Sequence, residues 1–281
     1  MFRFRDITKE TKIFAAAGHP FKIFDTVRFF NTTLKMEKTN AVFIPIPSDS
    51  VESLLHLAEE IGIEGISVDV PHKEEILKYV NRKSKEVVSI GAGNVIKTSP
   101  QGWMGYNTDA PAFSDSLLEF LGIKDFWFRK LTIVGAGDIA RAVAAEVYRL
   151  KGKALIINRN AAQARLLAEP YRFSWADPES QSIDLMRKYF STIIITCAFG
   201  TDADSDEDLL EFYKFSGKET VMDLSGQPDG NRCRRRAEEA GCRILDGYDM
   251  FHRQARYQYS YFMNKEFPPS LVSRVGYFGA Q

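Results

Sequence analysis

The stretch Leu131–Tyr148, LTIVGAGDIARAVAAEVY, constrains the fold more than any other part of the chain. Leu131, Ile133 and Val134 read as a short buried strand. Gly135-Ala136-Gly137-Asp138-Ile139-Ala140 follows at once, and Ala140, Val143, Ala144 and Val147 then recur at helical spacing. Strand, glycine turn and helix are the setting in which a G-x-G-x-x-G/A pattern binds a dinucleotide. Gly135 permits the tight turn, Gly137 lets a pyrophosphate approach the backbone, and Ala140 allows close helix–strand packing. The helix N-terminus offers N–H groups and a partial positive charge to the phosphates. A ligand-free turn also fits this pattern taken alone. A second strand, Ala154–Ile157, ends in Asn158-Arg159-Asn160, where an adenosine ribose is expected. An NAD site usually has Asp or Glu there, whereas the fork of Arg159 suits a 2′-phosphate, so NADP is the expected cofactor. The expected contacts are Gly135, Ala136, Gly137, Asp138, Ile139, Asn158, Arg159 and Asn160. Asp138 brings a negative charge close to the pyrophosphate, or caps the helix instead.

With 281 residues the chain has room for one or two domains, and at 44% hydrophobic residues it can build sizeable cores. Lys plus Arg and Asp plus Glu both number 37, so nothing in the charge points to a nucleic-acid or membrane partner. No apolar run approaches the roughly 18 residues of a membrane span. The first residues, MFRFRDITKETK, lack the apolar centre of a signal peptide. Cys197, Cys233 and Cys242 are odd in number and match no metal spacing, and the four histidines are scattered. These features predict a reducing cytoplasm and no structural metal; separately, a small-molecule substrate and a monomer or homodimer are the expected partner and state.

Strand and helix patterns alternate along the chain. Ile13–Ala17 reads as a first strand ending at Gly18-His19-Pro20, with a helix to about Leu34. Asn40–Pro47 is a second strand, and Asp49 or Ser50 is placed to cap a helix over Val51–Ile61. Gly65–Val70 is a third strand running into Pro71-His72-Lys73, with Pro71 at the start of a helix to about Val80. A shorter helix covers Lys85–Ile90. Asn94–Lys97 and Trp103–Tyr106 read as a hairpin, and Asn107-Thr108-Asp109 opens a helix to about Leu121. The alternation argues for a parallel sheet in the first half. In the second half, strands are expected at Ala154–Ile157, Thr192–Ile195, Thr220–Leu224 and Ile244–Asp246. Helices are expected near Ala161–Ala168, Ser182–Tyr189 and Asp229–Ala240. A last helix runs from Gly247 to about Met263.

A dinucleotide needs a partner site at the carboxyl ends of strands, and two places in the first half qualify. Lys73 follows a strand, and Asp109 follows a hairpin. A lysine ordinarily titrates near ~10.4, so it can hold a proton for an alkoxide developing beside a nicotinamide. A nearby carboxylate orients it and keeps it charged. Each residue taken alone also fits a plainer role: Lys73 as a solvated lysine, Asp109 as a helix cap, Gln254 as a surface amide.

The chain resembles the shikimate dehydrogenase family over nearly its whole length. Ser67-Val68-Asp69-Val70-Pro71-His72-Lys73, Gly91-Ala92-Gly93-Asn94-Val95 and Gly105-Tyr106-Asn107-Thr108-Asp109 match family segments in order and spacing. So do Gly135-Ala136-Gly137, Asn158-Arg159, and the run containing Asp246-Gly247, Met250 and Gln254-Ala255. The resemblance implies an α/β protein with a mixed or parallel substrate domain over 1–122 and a Rossmann NADP-binding domain over 123–246. Helices over 247–281 would return to the substrate domain. It implies Lys73 and Asp109 as the catalytic pair in reversible reduction of 3-dehydroshikimate to shikimate, within aromatic amino acid biosynthesis. It further implies Thr26, Asp69, Asn94, Thr108 and Gln254 on the substrate, and adds Cys197, Gly247 and Met250 to the cofactor contacts.

The departures from the family pattern concern the substrate grip. The family's Ser-x-Ser, which holds the substrate carboxylate, is Phe24-Asp25-Thr26 here, and its Asn-Val-Thr is Ser67-Val68-Asp69. Two carboxylates about 4 Å apart repel by roughly 1 kcal/mol in water and by several in a drier site. Lys22 or Arg28 is available in the sequence to offset Asp69. Asn-Ala-Thr has become Ile195-Thr196-Cys197, and an expected tyrosine has become Gly226. The first expectation is therefore an NADP-dependent oxidoreductase of this type with weak activity on shikimate itself. The alternatives are an NADP-binding sensor or scaffold, which would not need both Lys73 and Asp109, and a quinate dehydrogenase using NAD, which Arg159 disfavours.

Overall fold

The computed structural model describes residues 7–18, 20–178, 193–197, 208–227 and 230–275, and for residues 20–23 the backbone alone. His19, the side chain of Lys22 and the helix expected at Ser182–Tyr189 lie outside the described residues. The chain divides into two compact units, Met1–Thr108 with His252–Gln281, and Asp109–Phe251.

The first unit begins β1 (Lys12–Ala17), α1 (Pro20–Met36), β2 (Ala41–Ile46), α2 (Val51–Glu60), β3 (Ile63–Val68). It continues β4 (Arg82–Lys83), α3 (Lys85–Ile90), β5 (Val95–Ser99), β6 (Gly102–Tyr106). The sheet order is β2-β1-β3-β5-β6-β4. Strands β1, β2 and β3 are parallel, but β5 runs antiparallel to both β3 and β6. The sheet is therefore mixed, where alternation alone predicted a parallel one. A hairpin turning at Pro100-Gln101 leaves no room for a crossover, so one of its strands must oppose β3. Ser50 caps α2, accepting a hydrogen bond from the Ser53 N–H.

A second correction falls after β3. No α-helix starts at Pro71; residues 69–74 form a turn, the Val70–Pro71 bond is cis, and a short 3-10 helix covers Glu75–Lys78. The reason lies in Asp69. Its Oδ1 accepts the Val70 N–H at 2.8 Å, and its carbonyl accepts the His72 N–H at 3.0 Å. Such local bonds compete with a helical ladder.

The second unit runs α4 (Asp109–Leu121), β7 (Lys130–Val134), α5 (Asp138–Arg149), β8 (Lys153–Ile157), α6 (Ala161–Ala168), β9 (Ser174–Ala176). It continues β10 (Ile193–Thr196), β11 (Thr220–Asp223), α7 (Arg232–Glu239), β12 (Arg243–Asp246) and the start of α8 (Gly247–Met263). All six strands are parallel, in the order β12-β11-β10-β7-β8-β9. Counted within the unit, that is 6-5-4-1-2-3, the doubly wound order of dinucleotide-binding sheets. The alanines of α5 explain its fit: Ala140, Val143, Ala144 and Val147 are fully buried. Among the described residues, no helix is long and apolar enough to cross a membrane.

The far end of α8 belongs to the first unit. Phe262 packs on Phe14, Phe30 and Phe43 at ring distances of 5.3, 5.6 and 5.5 Å. Gly65 is required there, since a Cβ would stand 2.7 Å from the Phe262 ring. Lys97 Nζ donates to the Tyr261 carbonyl and to Asn264 Oδ1, both at 2.7 Å. Beyond the helix, Phe267, Leu271 and Val275 are buried, which gives most of the C-terminal stretch a packing role.

Glu219, immediately before β11, is fully buried and densely hydrogen-bonded. It accepts from Tyr213 Oη at 2.8 Å, Ser216 N–H at 3.0 Å, Ser216 Oγ at 2.8 Å and Lys218 N–H at 3.0 Å. Burial alone would raise its pKa, but the Tyr213 and Ser216 donors outweigh burial and bring it from 4.5 to about 2. A depressed folded-state pKa gives stability that is complete above the unfolded value and is lost as pH falls from about 4.5 towards 2. The difference corresponds to about 3 kcal/mol. Glu219→Gln is expected to lower the melting temperature at pH 7 by about 5–10 °C and to flatten its fall between pH 5 and 3. Calorimetry at the three pH values checks this, and a variant that melts with the wild type at pH 7 would contradict it.

Candidate cofactor and proton-transfer sites

The glycine loop lies at the switch point of the second sheet, where β7 has β8 on one side and β10 on the other. Ligands of such sheets bind outside the carboxyl ends of the strands at that point. Gly135 has φ +108°, a backbone conformation that favours glycine. Its N–H donates to the Ile157 carbonyl at 2.7 Å, which ties the loop to the end of β8. Gly137 is the N-cap of α5 with φ −81°, and a Cβ placed there would meet nothing within 4 Å. The space above the helix N-terminus is thus open, the cradle a pyrophosphate needs. Asp138 is the first residue of α5 rather than its cap, and Ala136 and Ile139 are half-buried around it.

Asn158, Arg159 and Asn160 follow β8, with Arg159 exposed. Asn160 accepts from the N–H groups of Ala162 and Gln163 and so caps α6. Asn158 Nδ2 donates to the Asn160 carbonyl and to Gln163 Oε1, both at 3.1 Å. Both asparagines therefore shape the turn that displays Arg159. Cys197 follows β10, and its N–H donates to the Val134 carbonyl at 2.7 Å. Burial, with Asp223 adding to it, pushes its thiol pKa up, so Cys197 is a neutral wall and no nucleophile. Gly247 has a packing reason of its own: a Cβ would stand 2.6 Å from the Asp223 carbonyl oxygen. Met250 is buried on the first turn of α8.

Sequence reading missed Asp223. Its buried Oδ1 accepts from Thr196 Oγ1 at 2.8 Å, from the Ser225 N–H at 2.9 Å and from Asn231 Nδ2 at 2.8 Å. That network ties the end of β10 to the turn after β11 and to the start of α7. The available signal was an aspartate closing an otherwise apolar strand. Gly226, where a tyrosine was expected, is exposed at φ +69°.

In the first unit the residues around Lys73 converge. Its carbonyl accepts the Gly93 N–H at 2.8 Å. The next residue, Asn94, is fully buried and pairs closely with Thr108: Asn94 Nδ2 donates to Thr108 Oγ1 at 2.9 Å, and Asn94 Oδ1 accepts the Thr108 N–H at 2.8 Å and the Thr108 hydroxyl at 3.2 Å. His72 Nε2 donates to the Ser48 carbonyl at 2.6 Å and pins the turn from the other side. Lys73 is 4% exposed, so the plainer role of a solvated lysine is excluded. Asp109 directly follows Thr108, opens α4 and is 2% exposed. Gln254 and Thr26 are half-buried on α8 and α1, while Phe24 is 57% exposed.

The offset to Asp69 is a residue the sequence did not suggest for it. Lys73 Nζ stands 3.8 Å from Asp69 Oδ1. Arg28, one of the two cations considered, is exposed on α1.

A doubly wound sheet with this loop defines a dinucleotide-binding unit, here in a chain whose other unit holds a buried lysine. The family described as the shikimate dehydrogenase substrate binding domain matches residues 17–96, a span that includes Asp69, Lys73 and Asn94. The shikimate dehydrogenase (NADP(+)) of Methanococcus aeolicus is 27% identical over 252 residues, covering 87% of this chain and 89% of that one. The crystal structure of shikimate dehydrogenase from Aquifex aeolicus superposes with a TM-score of 0.84 at 24% identity, over 96% of this chain and 98% of that one. A shikimate dehydrogenase solved in complex with NADP+ gives 0.81 at 26% identity, over 96% of each chain. Over most of its length the chain is thus similar to shikimate dehydrogenases, and over residues 17–96 it matches the model of their substrate binding domain.

Proposed function

We infer that the protein is an NADP-dependent oxidoreductase that transfers a hydride between NADPH and the ketone of 3-dehydroshikimate or a related cyclic keto compound. The observation that carries this reading is the buried Lys73, its carbonyl bonded to Gly93 beside the Asn94–Thr108 pair. The names of the relatives, shikimate dehydrogenase (NADP(+)), support the reaction and the cofactor. The substrate is held in the first unit, by Asn94, Thr108, Thr26, Asp69 and Gln254. The cofactor is held in the second, by the 135–139 loop and Asn158–Asn160, with Cys197, Gly247 and Met250 nearby. A small molecule in the cytoplasm, met by a monomer or homodimer, is the proposed setting.

A dinucleotide held by the 135–139 loop and Asn158–Asn160 would supply hydride chemistry to the carbonyl carbon. Lys73 supplies the proton from Nζ to the carbonyl oxygen, so that C=O becomes CH–OH; in the reverse direction its amine accepts that proton. Asp109 keeps the ammonium charged and oriented. Asn94 and Thr108, which fix each other, present hydroxyl and amide groups to ring hydroxyls. A scaffold role would leave the buried Lys73 and Asp109 unused.

Absorbance at 340 nm with shikimate or quinate, and NADP or NAD in parallel, tests the reading. NADP reduction is expected to exceed NAD reduction. Arg159→Ala is expected to cut that preference at least tenfold by removing the partner of the 2′-phosphate. NADPH binding without turnover across a panel of cyclic keto acids and their esters would overturn the reading.

A further inference from the structure

Asp69 is built into the site more firmly than a chance surface carboxylate. Its N–H donates to the Ala17 carbonyl at 2.8 Å, its carbonyl takes the His72 N–H, and its Oδ1 takes the Val70 N–H. Gly18, at φ +146°, would place a Cβ 2.8 Å from the Asp69 Cβ, so the chain after β1 closes directly on this side chain. Only a third of the Asp69 side chain reaches solvent, and beneath it the Lys73 side chain is 5% exposed. The carboxylate is therefore the more accessible member of the pair that contains the amine assigned to the proton.

Resting on Lys73 as the proton-transferring group, we propose that Asp69 is a specificity-determining residue that selects substrates with no negative charge near the reacting carbonyl. A ring whose oxygen is within hydrogen-bond reach of Lys73 Nζ also lies within several ångströms of Asp69 Oδ1, since the two protein atoms are 3.8 Å apart. At that range an anionic substituent facing Asp69 is repelled, while an ester, amide or amine is not. The Asp69–Lys73 pair also lowers the net positive charge available to attract an anion. The favoured class is a neutral or cationic cyclic hydroxy ketone.

The test compares shikimate with its methyl ester, using NADP+, the wild type and Asp69→Asn. Asparagine keeps an oxygen for the Val70 N–H, so the turn is preserved; thermal melting verifies this. The wild type is expected to prefer the ester at least tenfold in kcat/KM. In Asp69→Asn the ratio of acid to ester is expected to rise at least tenfold, mainly through the KM of the acid. An unchanged ratio, or a loss of kcat equal for both compounds, would overturn the proposal, because it would leave Asp69 with only a supporting role for Lys73. If neither compound is turned over, hydride transfer on this ring fails as a function. Calorimetric binding to the NADP+-loaded proteins then decides the charge question. Tighter binding of the ester that levels out in Asp69→Asn supports selection, and equal or absent binding overturns it.

Discussion

Lys73→Ala is expected to lower kcat by about 10²–10⁴, the usual contribution of a positioned proton donor. The change removes the amine but spares the turn. The Lys73 carbonyl still accepts the Gly93 N–H, and His72 still reaches Ser48. NADPH affinity is expected to stay within about twofold, since the glycine loop belongs to the second unit. Single-turnover rates with saturating NADPH separate this from a binding defect. A variant that turns over its substrate within threefold of the wild type would remove Lys73 from the mechanism.

The second large effect is at Gly137, and it has opposite signs in two measurements. Aspartate is among the best N-cap residues and interacts favourably with the helix dipole. Gly137 has an ordinary φ of −81° and open space where a side chain would grow. Gly137→Asp should therefore melt no lower than the wild type without cofactor, and should gain about a few tenths of a kcal/mol in stability. The same side chain would occupy the cradle and set a carboxylate against the pyrophosphate. At about 4 Å, one such pair of charges costs on the order of 4 kcal/mol near a protein surface. A loss of NADPH affinity of at least 100-fold is expected by fluorescence titration. Unchanged affinity would mean that the pyrophosphate does not lie over Gly137.

Much of this was readable because the signals are local. The stretch around Gly135 is a strand, a turn and a helix contiguous in sequence, and the β5–β6 hairpin turns within two residues. What escaped is non-local. β4 is two residues whose partners, Met104 and Gly105, lie far along the chain, so Arg82-Lys83 carries no periodicity of its own. β9 is three residues with an exposed Trp175 at its centre. The turn at Pro71 was read as a helix because the Asp69 side chain, not the residues after it, decides the backbone there. Asp69 itself was legible as an anomaly but not as half of an ion pair. A lysine four residues on meets an aspartate across a helical or tight turn, but not from within a strand, where Asp69 was read. Asp223 gave too weak a signal, since its three donors come from separate segments.

The Phe14–Phe30–Phe43 cluster closes on Phe262, a residue that follows the whole of the second unit in the chain. A ribosome adding about 5–20 residues per second therefore makes the aromatic core wait roughly ten to forty-five seconds for its last ring. By the end of that interval the later unit, which is continuous in sequence, is complete, while the earlier one, whose six strands were made first, still lacks the far end of α8. The order of completion is thus the reverse of the order of synthesis.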